Sequence, residues 1–192
     1  NPLLQLLKLL AVTPVSENVF RGDSQDLGWG SVFGGQVLGQ ALTAAAQTVG
    51  PDRLIHSLHA YFLRPGKVDN PVDYHVTTVR DGRSFDTRRV EGIQNGEPIL
   101  TLTSSFHIQE RGYDHQSDMP ATTPPTELPS QRDLARAIAA KLPPKIKSSA
   151  LAPRAIELRP VNPNNPFAPI KCAAERSVWY RATDTIPDNP TI

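Results

Sequence analysis

An α+β domain, with one helix lying against an antiparallel sheet, is the fold this sequence predicts, and three observations predict it. Val37, Leu38, Ala41, Leu42, Ala45 and Val49 recur at steps of three and four, which makes a single helical stripe. Residues 54–63, 72–79, 84–94 and 99–109 then read as strands; in the second, Val72, Tyr74 and Val76 alternate with Asp73, His75 and Thr77. The strands are joined by hairpin turns, Arg80-Asp81-Gly82-Arg83 and Asn95-Gly96, so the sheet is an antiparallel meander wrapped around the one central helix.

Taken in order, the elements each have a local reason. Leu3, Leu4, Leu6, Leu7, Leu9 and Leu10 predict a short amphipathic helix docked on the sheet; Gln5 and Lys8 interrupt the run and no small-residue cleavage pattern follows, which argues against a signal peptide. The chain opens on Asn1 without an initiator Met, so the expectation is that its natural amino terminus lies upstream. Residues 19–22 form a first short strand and residues 23–31 a Gly-rich loop. At Gly34-Gly35 the backbone makes a turn that a side chain would obstruct, and the central helix follows. Gly39, Ala41, Ala44, Ala45 and Ala46 keep its surface small for close packing, and Gly50-Pro51 stops it.

After residue 111 the composition changes. Residues 112–130 are rich in Pro, Thr and Ser and read as a linker. Ser130-Gln131-Arg132-Asp133 opens a helix through a capping-box pattern, Leu134, Ile138, Ala139 and Leu142 continue it, and Pro143-Pro144 ends it. Residues 155–161 read as extended, 162–169 as a Pro- and Asn-rich loop and 175–183 as a strand.

Composition narrows the function classes. Twenty Lys and Arg against nineteen Asp and Glu leave a net charge of +1, so there is no field that favours nucleic acid. No run approaches the roughly 18 apolar residues of a membrane span. Cys172 is the single cysteine, which excludes an intrachain disulfide framework and agrees with a reducing compartment.

Four separated motifs carry a resemblance. Val32-Phe33-Gly34-Gly35-Gln36-Val37-Leu38-Gly39-Gln40-Ala41-Leu42, then His59-Ala60-Tyr61-Phe62-Leu63-Arg64-Pro65-Gly66, then Arg80-Asp81-Gly82-Arg83-Ser84-Phe85 and Arg88-Arg89-Val90, resemble the acyl-CoA thioesterase II family in content and order. The resemblance implies a double hot-dog protein, of which residues 1–111 are the N-terminal hot-dog domain, 112–154 a Pro-rich linker with a short helix, and 155–192 the start of a second, incomplete hot-dog. It further implies hydrolysis of fatty acyl-CoA to free fatty acid and coenzyme A by activated-water attack, without cofactor, in a homo-oligomer paired through hot-dog sheets. The compartment implied is the cytoplasm in a bacterium, which is preferred, or the peroxisome in a eukaryote. In that family an Asp, a Ser or Thr, and a Gln of the second repeat do the chemistry, and they fall beyond Ile192. The alternative is a noncatalytic hot-dog domain that binds acyl chains or assembles subunits; a dehydratase of the same fold needs a carboxylate beside its His, which His59 alone does not supply.

Thioester hydrolysis needs an activated water and donors for the developing oxyanion. The N–H groups of Gly34, Gly35 and Gln36 are candidate donors at a helix start; the plainer reading is that the glycines only permit close packing, since every helix start has free N–H groups. His59 is the candidate catalytic base, against the plainer reading of a core histidine bonded across the sheet. His56, an odd step away, is expected on the opposite face from it. Arg64 and Arg83, from a set with Lys67, Arg80, Arg88 and Arg89, are candidate contacts for coenzyme A phosphates, or solvated partners of Asp81, Asp86 and Glu91. His107 and His115 lack ligand spacing, so no metal is expected. No Gly-x-Ser-x-Gly elbow occurs, and Cys172 has no His beside it in sequence.

Overall fold

In the structure, a computed structural model describing residues 1–28, 30–165 and 168–187 (Lys145 by its backbone alone), the chain divides into two compact units. Gln5–Gly112 belongs to one, and Tyr113–Ile186 with the first four residues forms the other.

The first unit contains α1 (Pro2–Leu10, from Gln5 on), β1 (Thr13–Ser16), β2 (Val19–Gly22), α2 (Gly34–Ala46), β3 (Leu54–Phe62), β4 (Val72–Asp81), β5 (Phe85–Gln94) and β6 (Glu97–His107). Its sheet runs β1-β2-β4-β5-β6-β3, with every pair antiparallel. The crossover through α2 carries the chain from β2 to the far side of the sheet, so β3 pairs with β6 alone and leaves an open edge. The sequence reading missed β1, whose residues are all exposed and carry no buried alternation; Asn18, in the left-handed region at φ 56°, turns it into β2. At the second hairpin Asn95 and Gly96, at φ 53° and 78°, turn β5 into β6 as the Asn-Gly pair predicts.

One face of the sheet packs on α2. Tyr74, Val76, Val90, Leu100, Leu102 and Phe106 meet Val37, Ala41, Ala44 and Ala45 in one buried cluster. Each large apolar side chain so buried contributes about 1.5–3 kcal/mol. The helix ends at Ala46, before Gly50, because Thr48 turns back on it: its N–H and hydroxyl both donate to the Ala45 carbonyl. Buried Arg88 then closes this end, donating to the Thr48 hydroxyl at 2.8 Å and the Thr48 carbonyl at 2.9 Å. At the other side α1 lays Leu10 against Gly39, so the contact made by the leading helix is with α2.

The second unit holds α3 (Gln131–Ala137), α4 (Pro144–Leu151) and the hairpin β7 (Ile156–Pro160) and β8 (Val178–Ala182). Residues 113–124 have no regular structure, and a 3-10 turn follows at Pro125–Glu127. Ser130 caps α3 in a reciprocal capping box with Asp133, as the pattern predicts. The expected continuation to Leu142 breaks at Ile138, and Pro144 begins α4 instead of only ending α3, since proline is well suited to a first helical turn.

Candidate functional site

The start of α2 is open. Phe33 precedes it in extended conformation without a side-chain cap, and the N–H groups of Gln36 and Val37 return to the Phe33 carbonyl. The N–H groups of Gly34 and Gly35 meet no acceptor among the described residues. Beside them lies a pocket of about 400 Å³ with apolar walls from Val32, Val37, Phe62, Leu63 and Ile99 and with Arg64 and Gly66 at its border. Phe62 stands close over the first glycine: a Cβ on Gly34 would lie 3.1 Å from its ring, and one on Gly35 would lie 2.4 Å from the ring of Phe33. Two free donors next to an apolar pocket can hold a polarised oxygen at the head of an alkyl chain, with the positive end of the helix dipole behind them.

The structure brings Gly34 and Arg64 to this pocket, sets Gly35 next to Gly34 against the Phe33 ring, and sends the other candidates elsewhere. Gln36 is buried on another side of the helix, its Nε2 donating to the Asp23 carbonyl at 2.8 Å, while its Oε1 is buried without a partner. Arg64 is half exposed, donates to the Pro98 carbonyl at 2.8 Å and pairs with Glu97 at 3.1 Å. Arg83 sits at the β4–β5 turn, where Arg53 donates to its carbonyl at the start of β3. The length of β3, about 30 Å for nine residues, separates Arg83 from Arg64.

His59 lies on the other face of the sheet. Its neighbours in register, Thr103 on β6 and Arg89 on β5, alternate with buried Leu102 and Val90, so His59 points away from α2 and Gly34. Its ring meets that of Tyr61 at 4.7 Å. His56 differs from the parity expectation: a bulge between Ile55 and Ser57 inserts it as an extra residue and turns it to the outer face as well, where its ring meets Phe85 and His107. Arg88 and Arg89 do point to opposite faces, the first buried and the second exposed. Among the described residues, no three His, Cys, Asp or Glu side chains gather to hold a metal ion.

Sequence reasoning missed Phe62 as a lid over the helix start and missed the polar layer under α2. Tyr74, pushed above its ordinary range by burial, donates its hydroxyl to Gln40 Oε1 at 2.7 Å, and Gln40 Nε2 donates to the carbonyls of Leu9 and Asp23. A signal for the first was present: residues 58–63 are apolar at nearly every position, on both sides of the strand.

Residues 24–107 match the family described as the acyl-CoA thioesterase N-terminal domain. The chain is 40% identical over 187 residues to acyl-CoA thioesterase 2 of Haemophilus influenzae, covering 97% of this chain and 64% of that protein. A crystal structure of an acyl-CoA thioesterase II from Mycobacterium marinum has a TM-score of 0.72 at 32% identity, covering 97% of this chain and 62% of the other. A protein of unknown function with hot dog fold from Alicyclobacillus acidocaldarius, at 22% identity and a TM-score of 0.70, shares the fold over 93% of this chain and 62% of its own. A six-stranded antiparallel sheet around one small-residue helix, together with these likenesses, defines an α+β hot-dog domain. The chain is similar to the acyl-CoA thioesterase II family along nearly its whole length. It spans less than two thirds of the length of these relatives.

Proposed function

We propose that the intact protein hydrolyses acyl-CoA thioesters to the free acid and coenzyme A by attack of an activated water. The observation that carries this is the 40% identity to an acyl-CoA thioesterase along nearly the whole chain. This chain's part is to hold the substrate. The free N–H groups of Gly34 and Gly35 take the thioester oxygen, the pocket under Phe62 takes the acyl chain, and Arg64 at its border meets coenzyme A phosphate. The groups that activate water belong, by the family resemblance, to the second hot-dog repeat. His59, turned from the pocket, serves here only if a neighbouring hot-dog reaches the outer face. Arg83, at the far end of β3, contacts phosphate only in a substrate lying along that edge. The single exposed cysteine fits a reducing compartment, and we assign the protein to the cytoplasm. Among the described residues no helix is long and apolar enough to cross a membrane.

Turnover of palmitoyl-CoA and of a shorter acyl-CoA by the intact protein tests this reading. Gly34→Val, which drives a side chain into the Phe62 ring, is expected to lower kcat/KM at least about tenfold through loss of the donor geometry. His59→Ala is expected to leave it unchanged. Acyl-CoA binding without turnover by the intact protein would overturn the hydrolase reading. It would favour a noncatalytic domain for acyl-chain binding or assembly, a reading with its own support in the open β3 edge. That edge exposes Leu54, Ile55, Leu58, Tyr61, Phe62 and Leu63, and an unpaired apolar strand of this kind pairs with another hot-dog in a homo-oligomer.

A further inference from the structure

The sheet's outer face carries His56, His59 and His107, and two of them form a pair that the linear sequence hides. His56 and His107 are far apart in sequence and lie on neighbouring strands, and a regular β3 would alternate His56 to the face opposite Ser57. The bulge between Ile55 and Ser57 changes this, and the two imidazole centres stand 5.9 Å apart at an interplanar angle of 51°. Metal–nitrogen bonds of about 2.0–2.1 Å place two imidazole centres bound to one ion between roughly 4.5 Å apart, for ligands at a right angle, and roughly 6.4 Å apart, for ligands in line. The spacing falls within the reach of one shared ion.

Two further contacts hold the pair. The Phe85 ring packs on His107 at 4.2 Å and meets the edge of His56 at 5.5 Å, which limits the rotation of both. Glu110 Oε2 lies 3.4 Å from His107 Nε2, and Ser84 Oγ donates to the other oxygen of Glu110 at 2.9 Å. A carboxylate on one ring nitrogen fixes the tautomer and leaves the other nitrogen as a lone-pair donor, the usual support of a metal-binding histidine. Here Glu110 lies on the Nε2 side of His107, which leaves Nδ1 as the nitrogen for a metal.

We propose that His56 and His107 bind one divalent transition-metal ion of the kind that prefers imidazole, Ni²⁺ or Cu²⁺, with solvent completing the coordination. Only two protein ligands converge, which is too few for a closed structural zinc site. The bound ion ties the open edge strand β3 to β6 at its bulge, and so stabilises the register of that edge. The site lies on the face away from the Gly34 pocket and is independent of the hydrolase reading.

The test is Ni²⁺ titration by calorimetry and Cu²⁺ electron paramagnetic resonance on the purified protein, with Cys172→Ser as the background so that the exposed thiol neither binds nor reduces the metal. One ion per chain is expected, with nitrogen splitting from two imidazoles. His56→Ala and His107→Ala are each expected to weaken Ni²⁺ binding at least about tenfold and leave single-nitrogen splitting, as loss of a ligand does. His59→Ala, whose recorded ring neighbour is Tyr61, keeps both signals. Circular dichroism of each metal-free variant establishes that it is folded, and a Ni²⁺-induced rise in Tm that vanishes in folded His56→Ala gives a second readout. Unchanged affinity in folded His56→Ala, or two-nitrogen splitting that survives it, would overturn the proposal.

Discussion

The two units of this chain are stabilised by different forces. In Gln5–Gly112 the inner face of the sheet and the small-residue face of α2 close on each other, and Ala41, Ala44, Val90 and Leu100 lose all contact with solvent. In Tyr113–Ile186 only Ser130 and Pro160 are buried among the described residues, and Leu134, Ile138, Ile146, Leu158 and Val178 line an open groove. A two-stranded sheet has too little area to close a core with short helices. Polar bracing takes over: Arg159 reaches the carbonyls of Pro125 and Leu128, Arg159 and Arg181 both converge on Glu157, and Trp179 donates to the Thr123 carbonyl. Apolar area thus holds one region and directed contacts hold the other. Each can be attacked separately.

The largest expected effect comes from removing apolar volume on the two sides of this comparison. Phe106→Ala empties a fully buried position and is expected to cost about 3–5 kcal/mol, whereas Leu158→Ala, only partly buried on β7, costs about 1 kcal/mol or less. Denaturant unfolding gives the totals. Hydrogen exchange places them, with the amides of β5 and β6 more protected than those of β7 and β8 in the parent chain. Equal costs at the two positions would mean that the second unit has a core after all.

A smaller effect tests whether polar contacts matter inside the first unit. Gln40→Leu leaves the buried Tyr74 hydroxyl without its acceptor and is expected to cost about 2 kcal/mol. Adding Tyr74→Phe removes the stranded hydroxyl and recovers part of that loss, so the two changes are non-additive. Additive losses in the double-mutant cycle would show that the Gln40–Tyr74 bond contributes nothing of its own.

These contrasts explain what the sequence made legible. The helix, the three-strand meander and the capping box at Ser130 rest on near-neighbour patterns, so period and turn chemistry were sufficient to read them. The helix start at Gly34-Gly35 was legible for the same reason. What escaped were features set by tertiary contact: Phe62 lying over Gly34, Gln36 turned to Asp23, and β3 at an edge, where apolar residues on both sides were compatible with a buried strand. One inserted residue was enough to defeat the parity argument for His56, because a bulge leaves no period to detect. Pro143-Pro144 failed in the opposite way: proline both ends one helix and begins another, and sequence alone favoured the ending.

The smallest effect should appear as a difference in acid sensitivity. In the second unit, hydrogen bonding from Arg159, with Arg181 adding to it, holds the Glu157 carboxyl below its ordinary range. A folded-state value below the unfolded one adds stability that is fully present above the unfolded value and is lost as pH falls through the folded one. The hairpin of β7 and β8 should therefore be unchanged from neutrality to about pH 5 and loosen below about pH 4, where carboxylates take up protons. Glu157→Gln removes this dependence and costs under about 1 kcal/mol at neutral pH, as for a partly exposed ion pair. In the first unit Asp73 is also held low by its bond from Arg21, but there the apolar core remains when the pair is protonated. Following β7–β8 and β5–β6 amide exchange across the acid range in parent and Glu157→Gln chains separates the two. Loss of protection in both regions at the same pH, unaffected by the substitution, would mean that one cooperative unit spans the chain.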